Sequence, residues 1–179
     1  MESSTEKIAD VLTRSVQTIQ SLLTSGLEAD EIIKNSQFSI SVDNRYFLSI
    51  AKIKALKMLF NEVSTAFLET DATNSSTKIH VFTHIEAESN HKNMISNSTQ
   101  AMSAILGGCE ALSILSHDLG QESTNENFSL RISRNISNIL REESYFDKIA
   151  DPVAGSYYIE SLIDSFSEKT WEIFQGKVG

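Results

Sequence analysis

Two hydrophobic periods alternate along this chain, and that alternation most constrains its fold. Ile8, Val11, Leu12, Val16, Ile19, Leu22 and Leu23 recur in steps that put them on one stripe of a helix, and Gly26 follows as its stop. "LEADEIIKN" reads as a short helix. "QFSISV" then sets Phe38, Ile40 and Val42 at every second position, the period of a strand with one face on a core. Asn44 stands where it would cap a helix running to about Glu69, with Phe47, Ile50, Ile53, Leu56, Leu59, Phe60, Val63 and Phe67 inward.

The unit repeats twice. After the polar stretch 70–77, "KIHVFTHIE" predicts a second strand. Asn90 to Leu106 predicts a helix with Ile95, Ala101, Met102, Ile105 and Leu106 on one side, stopped by Gly107 and Gly108. "EALSIL" predicts a third strand, mostly apolar as a buried parallel strand would be. The polar stretch 116–127 is a long loop of the kind often used for function. Ser129 to about Ile149 predicts a helix with Leu130, Ile132, Ile136, Ile139 and Leu140 inward, and Ile159 to Phe174 a last one. Between them Asp151, Pro152 and Gly155 break the helical pattern. Strands alternating with helices imply an α/β fold, a parallel sheet with crossover helices. Two closures fit, an open doubly wound sheet or part of a barrel. A full (β/α)8 barrel takes about 250 residues, so these 179 residues would form about half of one, as a single domain over 1–179.

The formal net charge of -9 disfavours nucleic acid and anionic membrane surfaces. No apolar run approaches the roughly 20 residues of a membrane span, and "MESSTEKIAD" has no apolar signal region. The single cysteine, Cys109, suits a reducing cytoplasm and reads as a small buried residue.

Few residues point to chemistry. "HVFTHIEAE" places His80, His84, Glu86 and Glu88 on one strand face. His80 and His84 would stand about 13 Å apart, too far for one metal ion, whereas His84 and Glu86 are close enough for an acid–base pair. No G-x-G-x-x-G or Walker sequence occurs, and Gly107-Gly108 reads as a helix stop rather than a phosphate cradle. His117 precedes Asp118, but no nucleophile elbow accompanies them. Glu110 reads as a solvated loop residue. Arg134 and Arg141 share a helix face, as a solvated surface with partners such as Glu142 or Asp147, or as a subunit contact.

One resemblance adds to this reading. "RISRNISNILREESYFDKIADPVAGSYYIESLIDSFSEKTWEIFQ", 131–175, closely resembles the methylmalonyl-CoA mutase family. Its R-I-x-R-N-x-x-x-x-L-x-x-E-S element is matched by Arg131, Ile132, Arg134, Asn135, Leu140, Glu143 and Ser144. D-P-x-x-G-S-x-Y-x-E-x-L is matched by Asp151, Pro152, Gly155, Ser156, Tyr158, Glu160 and Leu162, and the helix with A/T-W-x-x-x-Q by Thr170, Trp171 and Gln175. Upstream, "FSISVDNRYFLSIAKIKALKMLF" and "QAMSAILGGCEAL" resemble further units of that family. The resemblance implies the second half of a (β/α)8 barrel, with Tyr157-Tyr158-Ile159 as a remnant of its last strand. It also implies adenosylcobalamin-dependent interconversion of methylmalonyl-CoA and succinyl-CoA, with the acyl-CoA along the barrel axis and cobalamin on a separate domain.

The positions that the resemblance makes functional have changed. The family's R-x-S becomes Asn35 and Gln37. In its R-T-H-x-Q, Thr83 and His84 remain, but Phe82 replaces the arginine and Glu86 the glutamine. A glutamine after the paired glycines becomes Glu110. Losing arginine removes a bidentate carboxylate contact. Two new acids would repel an anionic substrate at a cost of several kcal/mol, as an order of magnitude. No stretch matches the cobalamin-binding D-x-H-x-x-G segment. The expectation is therefore a partial barrel that is inactive alone, binds no cofactor, and has no intact substrate site. It would support a catalytic mutase subunit carrying adenosylcobalamin, or self-associate through exposed sheet edges. Two alternatives are a divergent acyl-CoA mutase using His84 as general acid with Glu86 and Glu110, and a stand-alone interaction domain.

Overall fold

Residues 2–68, 77–85, 89–119 and 126–178 are described by a computed structural model. Among them lie α1 (Glu2–Thr24), α2 (Ala29–Lys34), β1 (Gln37–Ser41), α3 (Tyr46–Leu68), β2 (Lys78–Phe82), α4 (Asn90–Leu106), β3 (Ala111–Ser113), α5 (Glu126–Glu142) and α6 (Tyr157–Val178). A 3₁₀ turn covers Phe146–Lys148. The strands form one sheet in the order β1-β2-β3. β2 and β3 are parallel, with His80 beside Ala111, Val81 beside Leu112 and Phe82 beside Ser113. This is the α/β architecture that the alternating periods predict. The order does not reverse, so these three strands contain no topological switch point of the doubly wound kind. Successive β/α units added in one direction are how a barrel is wound.

The chain divides into two compact units, Met1–Phe38 with Ala51–Lys78 and Ser156–Gly179, and Ser39–Ile50 with Ile79–Gly155. In the first, α1 packs on α6. The stripe of Ile8, Leu12, Val16 and Ile19 is buried, as are Ile159, Ile163, Phe166, Thr170 and Phe174 of α6. Each such aliphatic or aromatic side chain contributes about 1.5–3 kcal/mol by leaving water. Asp10 and Lys177 join the two helices at their surface, Nζ to Oδ1, 2.5 Å. Gly26 ends α1 at φ +90°, with the Leu27 N–H reaching back to Leu22 O as the predicted stop requires. Phe38 meets Phe60 edge to face at 4.6 Å.

In the second unit Ile40, Val42, Ile79 and Val81 are buried on one face of the sheet. Ala101, Ile136 and Leu140 form a core with Met102, Ile105, Leu112, Ile114 and Phe146 against them. The glycine pair does stop α4: Gly108 sits at φ +82° and the Cys109 N–H bonds Ala104 O.

Several local expectations are corrected. Ile95, predicted inward, is 72% exposed; α4 instead buries Asn93, Asn97 and Gln100, because each of these amides has backbone partners at a strand end. Phe47, Leu130 and Ile139 are also exposed. On α5 the buried stripe is Ser129, Ser133, Ile136 and Leu140, since the two serine hydroxyls have buried acceptors and turn that face inward. The helix predicted over 129–149 stops at Glu142. The N–H groups of Glu143 and Ser144 both reach Ile139 O, and Tyr145 takes the left-handed region at φ 54°, with no glycine to signal it. β2 ends at Phe82: the Thr83 N–H still bonds Ser113 O and its hydroxyl accepts the Leu115 N–H, but the His84 backbone is taken by the Gln100 side chain. β3 is the shorter Ala111–Ser113. Tyr157-Tyr158-Ile159 is the first turn of α6, not a strand: the Glu160 N–H bonds Ser156 O, and Tyr157 stands 91% exposed with no strand neighbour.

Candidate functional site

β2 alternates strictly. Ile79, Val81 and Thr83 are buried, while His80 and Phe82 on the other face are only half-buried. The Val42 N–H donates to Phe82 O at 2.9 Å, which sets Ser41 alongside Phe82 and Ser39 alongside His80 in a parallel register. Two rows cross this face, Ser41–Phe82–Ser113 and Ser39–His80–Ala111. Ser39, Ser41 and Ala111 are exposed. The His80 ring lies on Phe82, centroids 4.3 Å apart, and its Nε2 shares a 2.8 Å hydrogen bond with Ser113 Oγ. Parallel sheets are ordinarily covered on both faces. Here one face is aliphatic and buried, while the other sets the half-buried His80–Phe82 pair and Ser113 among the exposed Ser39, Ser41 and Ala111. A hydroxyl–imidazole pair on such a face suits holding polar groups. A nucleophilic role would need a third group to orient the imidazole, and the nearby Thr83 and Leu115 N–H groups are already bonded to Ser113 O and Thr83 Oγ1.

At the C-terminal ends of β2 and β3, α4 holds irregular backbone with buried amides. Gln100 Oε1 accepts the His84 N–H at 2.5 Å, and its Nε2 donates to His84 O at 3.0 Å. The same Nε2 reaches Asn44 Oδ1 (3.0 Å) and Ser96 Oγ (2.8 Å). Asn44, expected to cap α3, thus presents its side chain to α4. One turn away, Asn97 Nδ2 donates to Leu115 O (2.8 Å) and Asn93 Nδ2 to His117 O (2.9 Å). His117 and Asp118 are both buried. Asp118 accepts from Ser116 Oγ (2.5 Å) and from Ser129 Oγ, and His117 meets Phe128 edge to face. Asp118 is thus engaged by two serine hydroxyls. Asn93, Asn97 and Gln100 escaped the sequence reading, although their spacing of four and three is itself a helical stripe.

The predicted site residues fall in different places. His84 lies just past β2, its backbone clamped and its side chain exposed. Phe82 is on the open face. Glu86 and Glu88 lie outside the described residues, so the His84–Glu86 pair does too. Glu110 is no free loop acid: its Oε2 accepts the Ile79 N–H at 2.7 Å while its own N–H bonds Ile79 O. That fixes it at the opposite end of β2 from His84, about 16 Å along the strand, so Glu110 and His84 do not form one site. Asn35 ends α2, its Nδ2 donating to Glu31 O at 2.8 Å, and Gln37 opens β1, exposed. Arg141 pairs with Glu142 in solvent at 2.8 Å. Burial pushes the Tyr46 phenol above its ordinary value. Among the described residues no group of three or more His, Cys, Asp or Glu side chains is placed to hold a metal ion, and no helix is long and apolar enough to cross a membrane.

Comparison with known proteins matches residues 2–177 to the family described as methylmalonyl-CoA mutase. The methylmalonyl-CoA mutase small subunit of Porphyromonas gingivalis is 30% identical over 175 residues, 95% of this chain and 28% of that protein. The methylmalonyl-CoA mutase of Rhizobium meliloti is 29% identical over 173 residues, 95% of this chain and 24% of that protein. The small subunit from Propionibacterium freudenreichii subsp. shermanii is 28% identical over 171 residues, 94% of this chain and 27% of that protein. The chain spans about a quarter of the length of these relatives. With residues 2–177 matched to its model, the chain belongs to the methylmalonyl-CoA mutase family.

Proposed function

We propose that this chain is a non-catalytic half-barrel of the mutase family, a small subunit or a piece of one. It supports a partner chain that interconverts methylmalonyl-CoA and succinyl-CoA by adenosylcobalamin radical chemistry. The observation that carries this reading is the open sheet face of Ser39, Ser41, His80, Phe82, Ala111 and Ser113. A parallel sheet partly exposed on one side, with β1 and β3 as its outer strands among the described residues, suits completion by another chain. A catalytic mutase subunit is the partner we propose, and a second copy meeting the same edges is the alternative. The compartment proposed is the cytoplasm.

The residues argue against chemistry within this chain. None of the four histidines, His80, His84, His91 and His117, has an aspartate two positions before it, so the D-x-H-x-x-G setting for cobalamin is missing. We place the cofactor on the partner. Glu110 is bound to backbone, and Phe82 brings no charge to a carboxylate. One observation favours a divergent mutase instead: Gln100 fixes His84 at the strand end with its imidazole exposed, where barrel enzymes keep catalytic groups.

Co-expression with a catalytic mutase chain from the same source tests the reading. The two should co-elute, and Ser41→Arg with Ser113→Arg should separate them. A chain that stays monomeric beside that partner would refute it.

A further inference from the structure

Charge is segregated on two helices of this chain. From Asn127 to Arg141, within α5, the sequence holds Arg131, Arg134 and Arg141 and no acidic residue. From Tyr157 to Glu168, within α6, it holds Glu160, Asp164 and Glu168 and no basic residue. A basic run stands out in a chain of net charge -9. Arg131 and Arg134 are three apart, hence neighbours on the helix surface, and both are exposed. Arg131 lies over the Phe128 ring at 5.8 Å, and the exposed Leu130 and Ile139 flank the basic stripe.

The outer face of α6 carries the complement. Asp164 and Glu168 are exposed and four apart, so the two carboxylates share one face and repel each other. Tyr157 stands on the same face, seven residues before Asp164, with its ring in solvent. Exposed tyrosines are enriched where proteins meet. The spacings also agree: about 4.5 Å of helix rise separates Arg131 from Arg134 and about 6 Å separates Asp164 from Glu168. We propose that the outer face of α5 docks a second copy of this chain by the outer face of that copy's α6, with the helices antiparallel. Arg131 and Arg134 meet Glu168 and Asp164, and Tyr157 lies toward Ile139. Exposed ion pairs add little affinity one by one. Their part is to select the partner and the register, while Tyr157, Leu130 and Ile139 supply apolar area. One copy's α5 meets another's α6, so the contact is heterologous. It uses neither the sheet face nor the sheet edges assigned above.

Sedimentation velocity on the isolated chain over a concentration series tests this. Mass should rise above the monomer value with concentration, and less so in concentrated sodium chloride, which screens exposed charges. Arg131→Glu with Arg134→Glu, and separately Asp164→Lys with Glu168→Lys, should each weaken association by roughly an order of magnitude or more, because like charges then face each other. An equimolar mixture of these two variants should associate again, since each then carries the complement of the other. Circular dichroism checks that both fold. Ser41→Arg with Ser113→Arg should leave this self-association unchanged, and neither helix variant should alter co-elution with a catalytic mutase chain, which keeps the two readings separable. An unaltered chain that stays monomeric, a helix variant that associates as the unaltered chain does, a mixture that stays monomeric, or loss of association on Ser41→Arg with Ser113→Arg would each overturn the proposal.

Discussion

Gln100→Leu is expected to be among the most damaging substitutions of a polar residue in this chain. Gln100 is 1% exposed and makes four side-chain hydrogen bonds, two of them to the N–H and C=O of His84. Asn44 Oδ1 and Ser96 Oγ also bond each other, so they retain a partner when the amide is removed. The His84 backbone does not have that fallback at this spot. Each backbone group left against an apolar side chain costs about 1–3 kcal/mol. Water can reach part of the exposed His84, which puts the sum for two groups at about 2–4 kcal/mol. For a chain of this size that lowers Tm by roughly 5–15 °C. Urea unfolding followed by circular dichroism gives the free energy, and hydrogen exchange at the His84 amide gives its location. Gln100→Glu adds a pH signature. The introduced carboxylate would face two acceptors, His84 O and Asn44 Oδ1, and burial and repulsion would raise its pKa. The loss should therefore be largest at neutral pH and shrink as pH falls through that raised value. A loss below about 0.5 kcal/mol, the level of an ordinary surface change, would refute the role assigned to this amide.

Other expectations follow from single contacts. Gly155 sits at φ +78° with nothing within 4 Å of an added Cβ, so Gly155→Ala should cost about 1–2 kcal/mol from backbone strain alone, measured by chemical unfolding. Tyr145→Gly relieves the one left-handed non-glycine residue among those described, whose side chain is largely exposed, and should be neutral to stabilising by up to about 1 kcal/mol. The Lys177 hydrogen bond holds the Asp10 carboxyl below its ordinary value. Its stabilisation is present above the ordinary carboxylate value and lost as pH falls through the depressed one, so Asp10→Asn should flatten the stability–pH curve only at the acid end. Leu12→Ala, at a fully buried position, should cost about 2–5 kcal/mol, whereas Ile95→Ser should stay within about 0.5 kcal/mol; parallel urea titrations decide both.

The fold was legible where period and stop agreed. Leu12, Ile19, Phe38, Ile40, Ile53 and Phe60 are buried as their spacing requires, and Gly26 and Gly108 end helices at positive φ. Hydrophobic spacing failed where polar side chains have buried partners. On α4 the amides displace Ile95 from the inner face, and on α5 Ser129 and Ser133 displace Leu130. Nothing in a hydropathy pattern distinguishes an asparagine that bonds Leu115 O from one that bonds water. The helix break at Glu143–Tyr145 was hidden for a related reason, since a tyrosine rather than a glycine takes the left-handed conformation. At the site, residue identities spoke clearly for ancestry, while the places of Glu110 and His84 at opposite ends of β2 emerged only from the hydrogen bond between Glu110 and Ile79.

The central claim is that this chain supports mutase chemistry without performing it. Adenosylcobalamin-dependent conversion of methylmalonyl-CoA to succinyl-CoA by this chain alone, followed by chromatography of the acyl-CoA products, tests that most directly. No product above the cofactor-free control is predicted, with turnover only once a catalytic mutase chain is added and no change in that turnover on His84→Ala. Turnover by the isolated chain, abolished by His84→Ala, would contradict it.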